Sequence, residues 1–153
     1  MSKKTTYTTA QKRSQKFLRS VRLNERRIQV LESEIELQQS RLQLNGVAGG
    51  ENVNKTMAGD SMEVGFTELY KFCDKLDTDL INYVEERDRA LSVIKNLKDQ
   101  GQYMVTYLRY FQGLSYNQIA RILNYSDRTV YNLHKRALSA LFPYLPENYK
   151  NVQ

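Results

Sequence analysis

Tryptophan is absent, and cysteine and histidine occur once each, at Cys73 and His134. One thiol excludes an internal disulfide and suits a cytoplasmic protein. One thiol and one imidazole cannot assemble the usual zinc ligand sets. Cys73 sits on an apolar seam, where a thiol acts as small core filler. Proline occurs only as Pro143 and Pro146, so nothing of that kind interrupts helices before the last stretch of chain. No apolar run approaches the ~18 residues that span a bilayer, and the first residues lack the apolar core of a signal peptide. No G-x-S-x-G elbow and no G-x-x-x-x-G-K-[S/T] phosphate loop is present. The chain is therefore expected to be a non-enzyme without metal or cofactor and without membrane association.

What is present is basic charge, unevenly placed. Of a net charge of +6, residues 1–44 carry +6, residues 45–100 carry −4 and residues 101–153 carry +4. A basic C-terminal third suits a polyanionic partner. The acidic middle suits solvent or a basic protein surface.

Residues 1–10 are polar and aperiodic and are expected to form a disordered basic tail. From Gln11 to Leu44 the pattern is helical. Phe17, Val21, Ile28, Leu31, Ile35 and Leu42 fit a heptad seam, with Asn24 and Gln38 as polar interruptions. Leu23, Val30, Leu37 and Leu44 make a second line at intervals of seven. Two apolar lines on one helix call for more than one neighbour. One solution is a hairpin within the chain, another an oligomer interface, and both can hold. The basic start of this helix, Lys12, Arg13, Lys16, Arg19, Arg22, Arg26 and Arg27, is either a solvated face or a second phosphate contact.

Residues 45–59 hold four of the seven glycines and read as a flexible linker. Asp60 and Glu63 have capping-box spacing. From Ser61 to about Asp99 a second heptad runs through Phe66, Leu69, Cys73, Leu76, Leu80, Tyr83, Ala90, Ile94 and Leu97. A stripe this long needs a partner helix. The expectation is an antiparallel, coiled-coil-like hairpin over residues 11–99 that also drives self-association, with Val21, Ile28, Leu31, Ile35, Leu42, Phe66, Leu69, Leu76, Leu80 and Tyr83 as interface residues.

Asp99-Gln100-Gly101 is read as the end of the second long helix. A shorter helix follows over residues 102–112, with Met104, Val105, Leu108 and Phe111 inward and Gly113 as its stop. Then comes the stretch on which the functional reading rests, Ser115 to Leu141. Ile119, Ala120 and Leu123 recur at helical spacing, and so do Val130, Leu133, Ala137 and Leu141. Ser115 and Ser126 stand where N-caps are needed. Asn124 tolerates the left-handed backbone that a tight turn between two helices requires, and Ala120 is small where they meet. This is a helix-turn-helix, and residues 101–142 form its domain, with residues 143–153 as a loose tail.

The outer face of the second helix offers the side chains that read base edges and grip phosphate. Asp127, Arg128, Tyr131 and Asn132 are candidates for base contact. Lys135 and Arg136 are candidates for phosphate contact, with Ser126 and Tyr116 at the margin. Tyr116 and Tyr131 are expected to be exposed, and His134 to be structural.

The lead-in Arg109 to Ser115, Ile119-Ala120, Ser126, Thr129-Val130 and Arg136-Ala137-Leu138 resemble region 4 of bacterial sigma factors. More loosely, the whole chain resembles the RinA and ArpU regulators of late phage genes in Gram-positive bacteria. The resemblance implies an all-α fold and base reading by Asp127, Arg128 and Asn132. It also implies a backbone contact at Arg136 and a possible RNA polymerase partner. Asp127 departs from the basic residue common in region 4. The expected function is a sequence-specific transcription regulator, an activator of phage or prophage late genes, acting on double-stranded DNA as a homodimer or higher oligomer. The alternatives are a DNA-packaging subunit of small-terminase type and a domain that binds protein instead of DNA.

Overall fold

The computed structural model describes residues 6–48 and 59–151; for residues 45–48, 59–64 and 66 it describes the backbone only. The fold is all-α, and no strand occurs among the described residues. Helix α1 spans Thr9–Ala48, α2 Gly59–Ile94, α3 Gln100–Tyr110, α4 Tyr116–Leu123 and α5 Asp127–Leu141. A 3-10 turn, Phe142–Tyr144, and a short α6, Glu147–Lys150, close the chain. No described helix is long and apolar enough to cross a membrane.

Two compact units form. The first joins Met1–Glu25 to Glu86–Gln153, the second is Arg26–Glu85. In the first, the start of α1 packs on the end of α2. Phe17, Leu18 and Val21 meet Ala90, Ile94 and Leu97 in one core, which continues through Tyr110, Phe111, Ala137, Leu138, Leu141 and Leu145. Glu25, buried on the same seam, pairs with Arg87 at 2.9 Å. A second, smaller core of Val105, Ile119, Ala120 and Val130 binds α3, α4 and α5 together. Fully burying one such aliphatic side chain is worth ~1.5–3 kcal/mol. Helices α3 and α5 thus lean on α1 and α2, and α4 packs on α3 and α5, a support that suits a domain of this size.

The chain's ends differ from the sequence expectation. Residues 6–10 are not a disordered tail, whereas residues 1–5 lie outside the described residues. Thr8 and Gln11 form a capping box: Thr8 N–H donates to Gln11 Oε1 at 2.9 Å, and Gln11 N–H donates to Thr8 Oγ1 at 3.2 Å. Residues 143–151 are not loose either. Leu145 enters the core, and Tyr149 packs edge-on against Phe17 with ring centroids 5.3 Å apart. Its hydroxyl donates to Ser20 Oγ at 3.0 Å, and Arg13 donates to the Lys150 carbonyl. These partners are more than a hundred residues away along the chain, beyond the reach of local pattern.

Two internal boundaries also shift. Helix α2 ends at Ile94, and Asp99 caps α3 by accepting from Gln102 N–H at 2.8 Å. Asp99 therefore starts a helix instead of closing one, as its short carboxylate favours. At the other junction α1 runs on through residues 45–48 of the expected linker, and α2 begins at Gly59, so Asp60 lies inside the helix. Residues 49–58, and the side chains of Asp60, Glu63 and Phe66, lie outside what is described.

In the second unit, Ile28, Ile35 and Leu76 are buried, and the polar interruption Gln38 is buried with them. Leu31, Leu42, Leu69, Leu80, Tyr83 and Cys73 are half-buried. Arg27 lies over the Tyr83 ring, 5.7 Å from its centroid. Here the structure corrects the expected interface. The buried seam residues, including Val21 of the first unit, are covered by their own chain and are not free for a partner. Val30, Leu37 and Leu44, by contrast, are 67%, 46% and 68% exposed. Tyr70, Phe72 and Ile81 of α2 are exposed as well.

Candidate nucleic-acid interface

Local chemistry sets the helix-turn-helix. Ser115 Oγ accepts from Gln118 N–H at 3.2 Å, and Gln118 Oε1 accepts from Ser115 N–H at 2.9 Å, a reciprocal box that starts α4. Asn124 ends α4 with φ 55° and ψ 45°, the left-handed conformation that lets the chain turn sharply. Ser126 Oγ accepts from Thr129 N–H at 3.1 Å and starts α5. Before α4, Gly113 takes φ +73°, and the Arg22 guanidinium lies over it where a side chain would otherwise sit.

His134 clamps the three helices. It is fully buried. Its Nε2 lies 2.7 Å from the Tyr110 hydroxyl of α3 and its Nδ1 3.2 Å from the Tyr116 hydroxyl of α4. A neutral imidazole carries one donor and one acceptor, so one tyrosine accepts and the other donates. Burial, and secondarily the Arg109 charge, hold the His134 pKa down to about 4. Burial also raises Tyr110 and Tyr116, with Arg109 opposing the shift in both. Arg109 stacks over the Tyr116 ring at 4.4 Å and donates to the Leu114 carbonyl at 3.1 Å, closing the α3–α4 turn.

This clamp revises two candidates. Tyr116 is half-buried and engaged with His134 and Arg109, so it is a structural residue and not an exposed DNA contact. Tyr131 is also half-buried, and its hydroxyl is inaccessible beside Tyr7. Burial, then the Tyr131 hydroxyl, push Tyr7 up to about 12. The N-terminal segment thus covers the flank of α5 on which Tyr131 lies.

The remaining candidates divide by role. Arg128, Asn132 and Arg136 are all exposed, four residues apart on one face of α5. Among the described residues none of them is ion-paired. Lys135 is half-buried, and its carbonyl accepts from Gln11 Nε2 at 3.3 Å. Asp127 is exposed but held: with its amide nitrogen turned inward, Asn117 donates to both carboxylate oxygens, at 2.9 and 3.1 Å. That contact ties α4 to the first turn of α5, where a carboxylate also suits the helix dipole. Ser126 spends its hydroxyl on the cap.

Two features escaped the sequence. Asn117, Arg121, Asn124, Tyr125, Ser126 and Asp127 line a hollow of about 500 Å³ beside the start of α5. Its signal was the phase of α4, which carries Asn117 and Arg121 on one face four residues apart. The second is the contact of Gln11 with α5, for which the sequence holds no signal beyond the Thr8/Gln11 cap spacing.

A pair of capped helices joined by a tight turn, locked by a buried clamp and presenting a row of Arg, Asn and Arg, defines a helix-turn-helix of the DNA-binding kind. The model for region 4 of sigma-70 factors matches residues 104–141, about a quarter of the chain. The C-terminal domain is therefore sigma-region-4-like, a fold of DNA-binding transcription proteins. No curated protein and no solved structure matches the chain.

Proposed function

We propose that this chain is a sequence-specific transcription regulator, an activator of phage or prophage late genes, that works by binding and not by catalysis. The observation that carries the reading is the exposed Arg128–Asn132–Arg136 row on a helix held rigidly by His134 and its two tyrosines. With α5 in a major groove, Arg128 is suited to guanine and Asn132 to adenine, and Arg136 to a phosphate. Each good bidentate pair contributes ~1–3 kcal/mol of discrimination.

Self-association belongs to the same reading. The chain leaves Val30, Leu37 and Leu44 exposed at heptad spacing, and a second protomer paired there would bring two α5 helices into one assembly. Region 4 of sigma factors also touches RNA polymerase, and that resemblance supports a polymerase contact as the route to activation. A small-terminase-like packaging subunit remains the second reading, favoured by the same union of long helices with a DNA-reading domain.

The test is transcription from a phage late-promoter template with host RNA polymerase, with and without the protein, beside light scattering of the protein alone. Added transcript and a dimer support the regulator. A ring of many protomers and no effect on transcript would overturn it in favour of packaging.

A further inference from the structure

We infer that the start of α1 is a second DNA-backbone contact, gripping phosphates along one edge of the groove that α5 enters. The inference rests on the DNA-binding reading above and extends it to residues outside the region-4-like segment. The start of α1 is fastened to the last two turns of α5. Gln11 Nε2 donates to Ser139 Oγ at 2.9 Å and to the Lys135 carbonyl at 3.3 Å, and Ser14 Oγ donates to the Leu138 carbonyl at 2.6 Å. Gln11 and Ser14 are both buried, so the two helices are joined and not merely adjacent.

The junction leaves an open cleft of about 670 Å³, lined by Gln11 on one side and by Asn132, Lys135, Arg136, Ser139 and Ala140 on the other. No carboxylate lines it. A helix lying in the major groove has a sugar-phosphate backbone along each side, so cations on an element fixed to its flank are placed to reach phosphate. At about 100° per residue, Ser14, Leu18 and Val21 of α1 turn to the core and Gln11 to α5. Lys12, Lys16 and Arg19 then fall on the side away from the core, about 100°, 140° and 80° round the helix from Gln11. All three are exposed. Among the described residues none of them is ion-paired. Lys135 and Arg136 thus line the cleft beside the base-reading row, and α1, joined to its rim through Gln11, carries three exposed cations on its outer side, an arrangement that draws and orients a backbone.

Lysines in such contacts add to affinity without adding to sequence choice, and each phosphate neutralised changes the slope of log K against log[salt] by ~0.9. The experiment is a salt titration of binding to a labelled random-sequence duplex, for the full-length wild type, Lys12→Ala/Lys16→Ala and Arg128→Ala/Asn132→Ala. Circular dichroism confirms that each variant keeps its helices, as exposed lysine-to-alanine changes in a helix should. The inference expects the lysine variant to lose ~1.8 from the slope. Wild-type affinity should therefore fall roughly tenfold more than the variant's between 50 and 200 mM salt. On a selected site the same variant keeps the wild-type preference over random sequence, whereas Arg128→Ala/Asn132→Ala loses it. An unchanged slope in the lysine variant, with wild-type binding still salt-sensitive, overturns the α1 contact alone. Wild-type binding that is weak and insensitive to salt overturns the α1 contact and the DNA-binding reading together.

Discussion

Acidification should loosen the helix-turn-helix domain through one residue. His134 is neutral and fully buried between Tyr110 and Tyr116, and its pKa stands at about 4 against 6.5 for an exposed imidazole. The unfolded chain therefore takes up a proton at a higher pH than the folded one. The contribution of the neutral ring to stability is complete above pH 6.5, falls as pH drops from 6.5 towards 4, and is gone below that. At about 1.4 kcal/mol for each pH unit, the loss across this window is about 3 kcal/mol. That is a large share of the 5–15 kcal/mol typical of a folded domain. Because the chain has a single histidine, its imidazole resonances report the titration by NMR without assignment. Urea unfolding at several pH values gives the energy, and His134→Gln serves as reference, since carboxylates titrate alike in both and cancel in the difference. An imidazole that titrates near 6.5 in the folded protein, or wild-type and His134→Gln curves that run parallel between pH 6.5 and 4, would refute the clamp.

Other expectations follow from single contacts. Asn124→Ala should cost about 1 kcal/mol, because a Cβ-bearing residue without a local polar partner resists φ 55°, whereas Asn124→Gly should stay within a few tenths; urea midpoints decide. Tyr149→Ala removes the edge contact to Phe17 and the bond to Ser20, and thermal unfolding should report a loss of about 1–2 kcal/mol, reduced from the fully buried case because the ring is half-exposed. Val30→Glu/Leu37→Glu should leave the monomer's helicity intact, since both side chains are exposed. It should weaken self-association at least tenfold by sedimentation equilibrium, as a charge buried without a partner is costly.

The helix-turn-helix was legible in the sequence because its determinants are local. Ser115, Asn124 and Ser126 each act on the backbone within four residues of themselves, and the periodicity of Val130 to Leu141 needs no knowledge of the rest of the fold. Arg128 and Asn132 are legible for the same reason, as residues opposite an apolar stripe, with Arg136 on the flank of that face. Tyr116 and Tyr131 went astray because helical phase places a side chain on a flank without saying what covers that flank. Tyr7 covers one, and His134 with Arg109 engages the other. Asp99 has the chemistry of a helix start, but the Asp-Gln-Gly string around it also resembles a stop. Gln11, Leu145 and Tyr149 act across more than a hundred residues, where pattern carries no information. The two heptad lines of α1 were both visible, but only packing shows that Ile28 and Ile35 serve the chain itself while Val30 and Leu37 stay open.

Arg128 and Asn132 are the side chains through which α5 is proposed to read DNA sequence. The most direct measurement is to sequence the genomic DNA fragments retained by the purified protein, beside those retained by Arg128→Ala/Asn132→Ala. The wild type should enrich a defined, promoter-proximal site, and the variant should lose that enrichment while still retaining DNA at low salt. Equal retention of the same fragments by both proteins, or enrichment by neither, would contradict that reading.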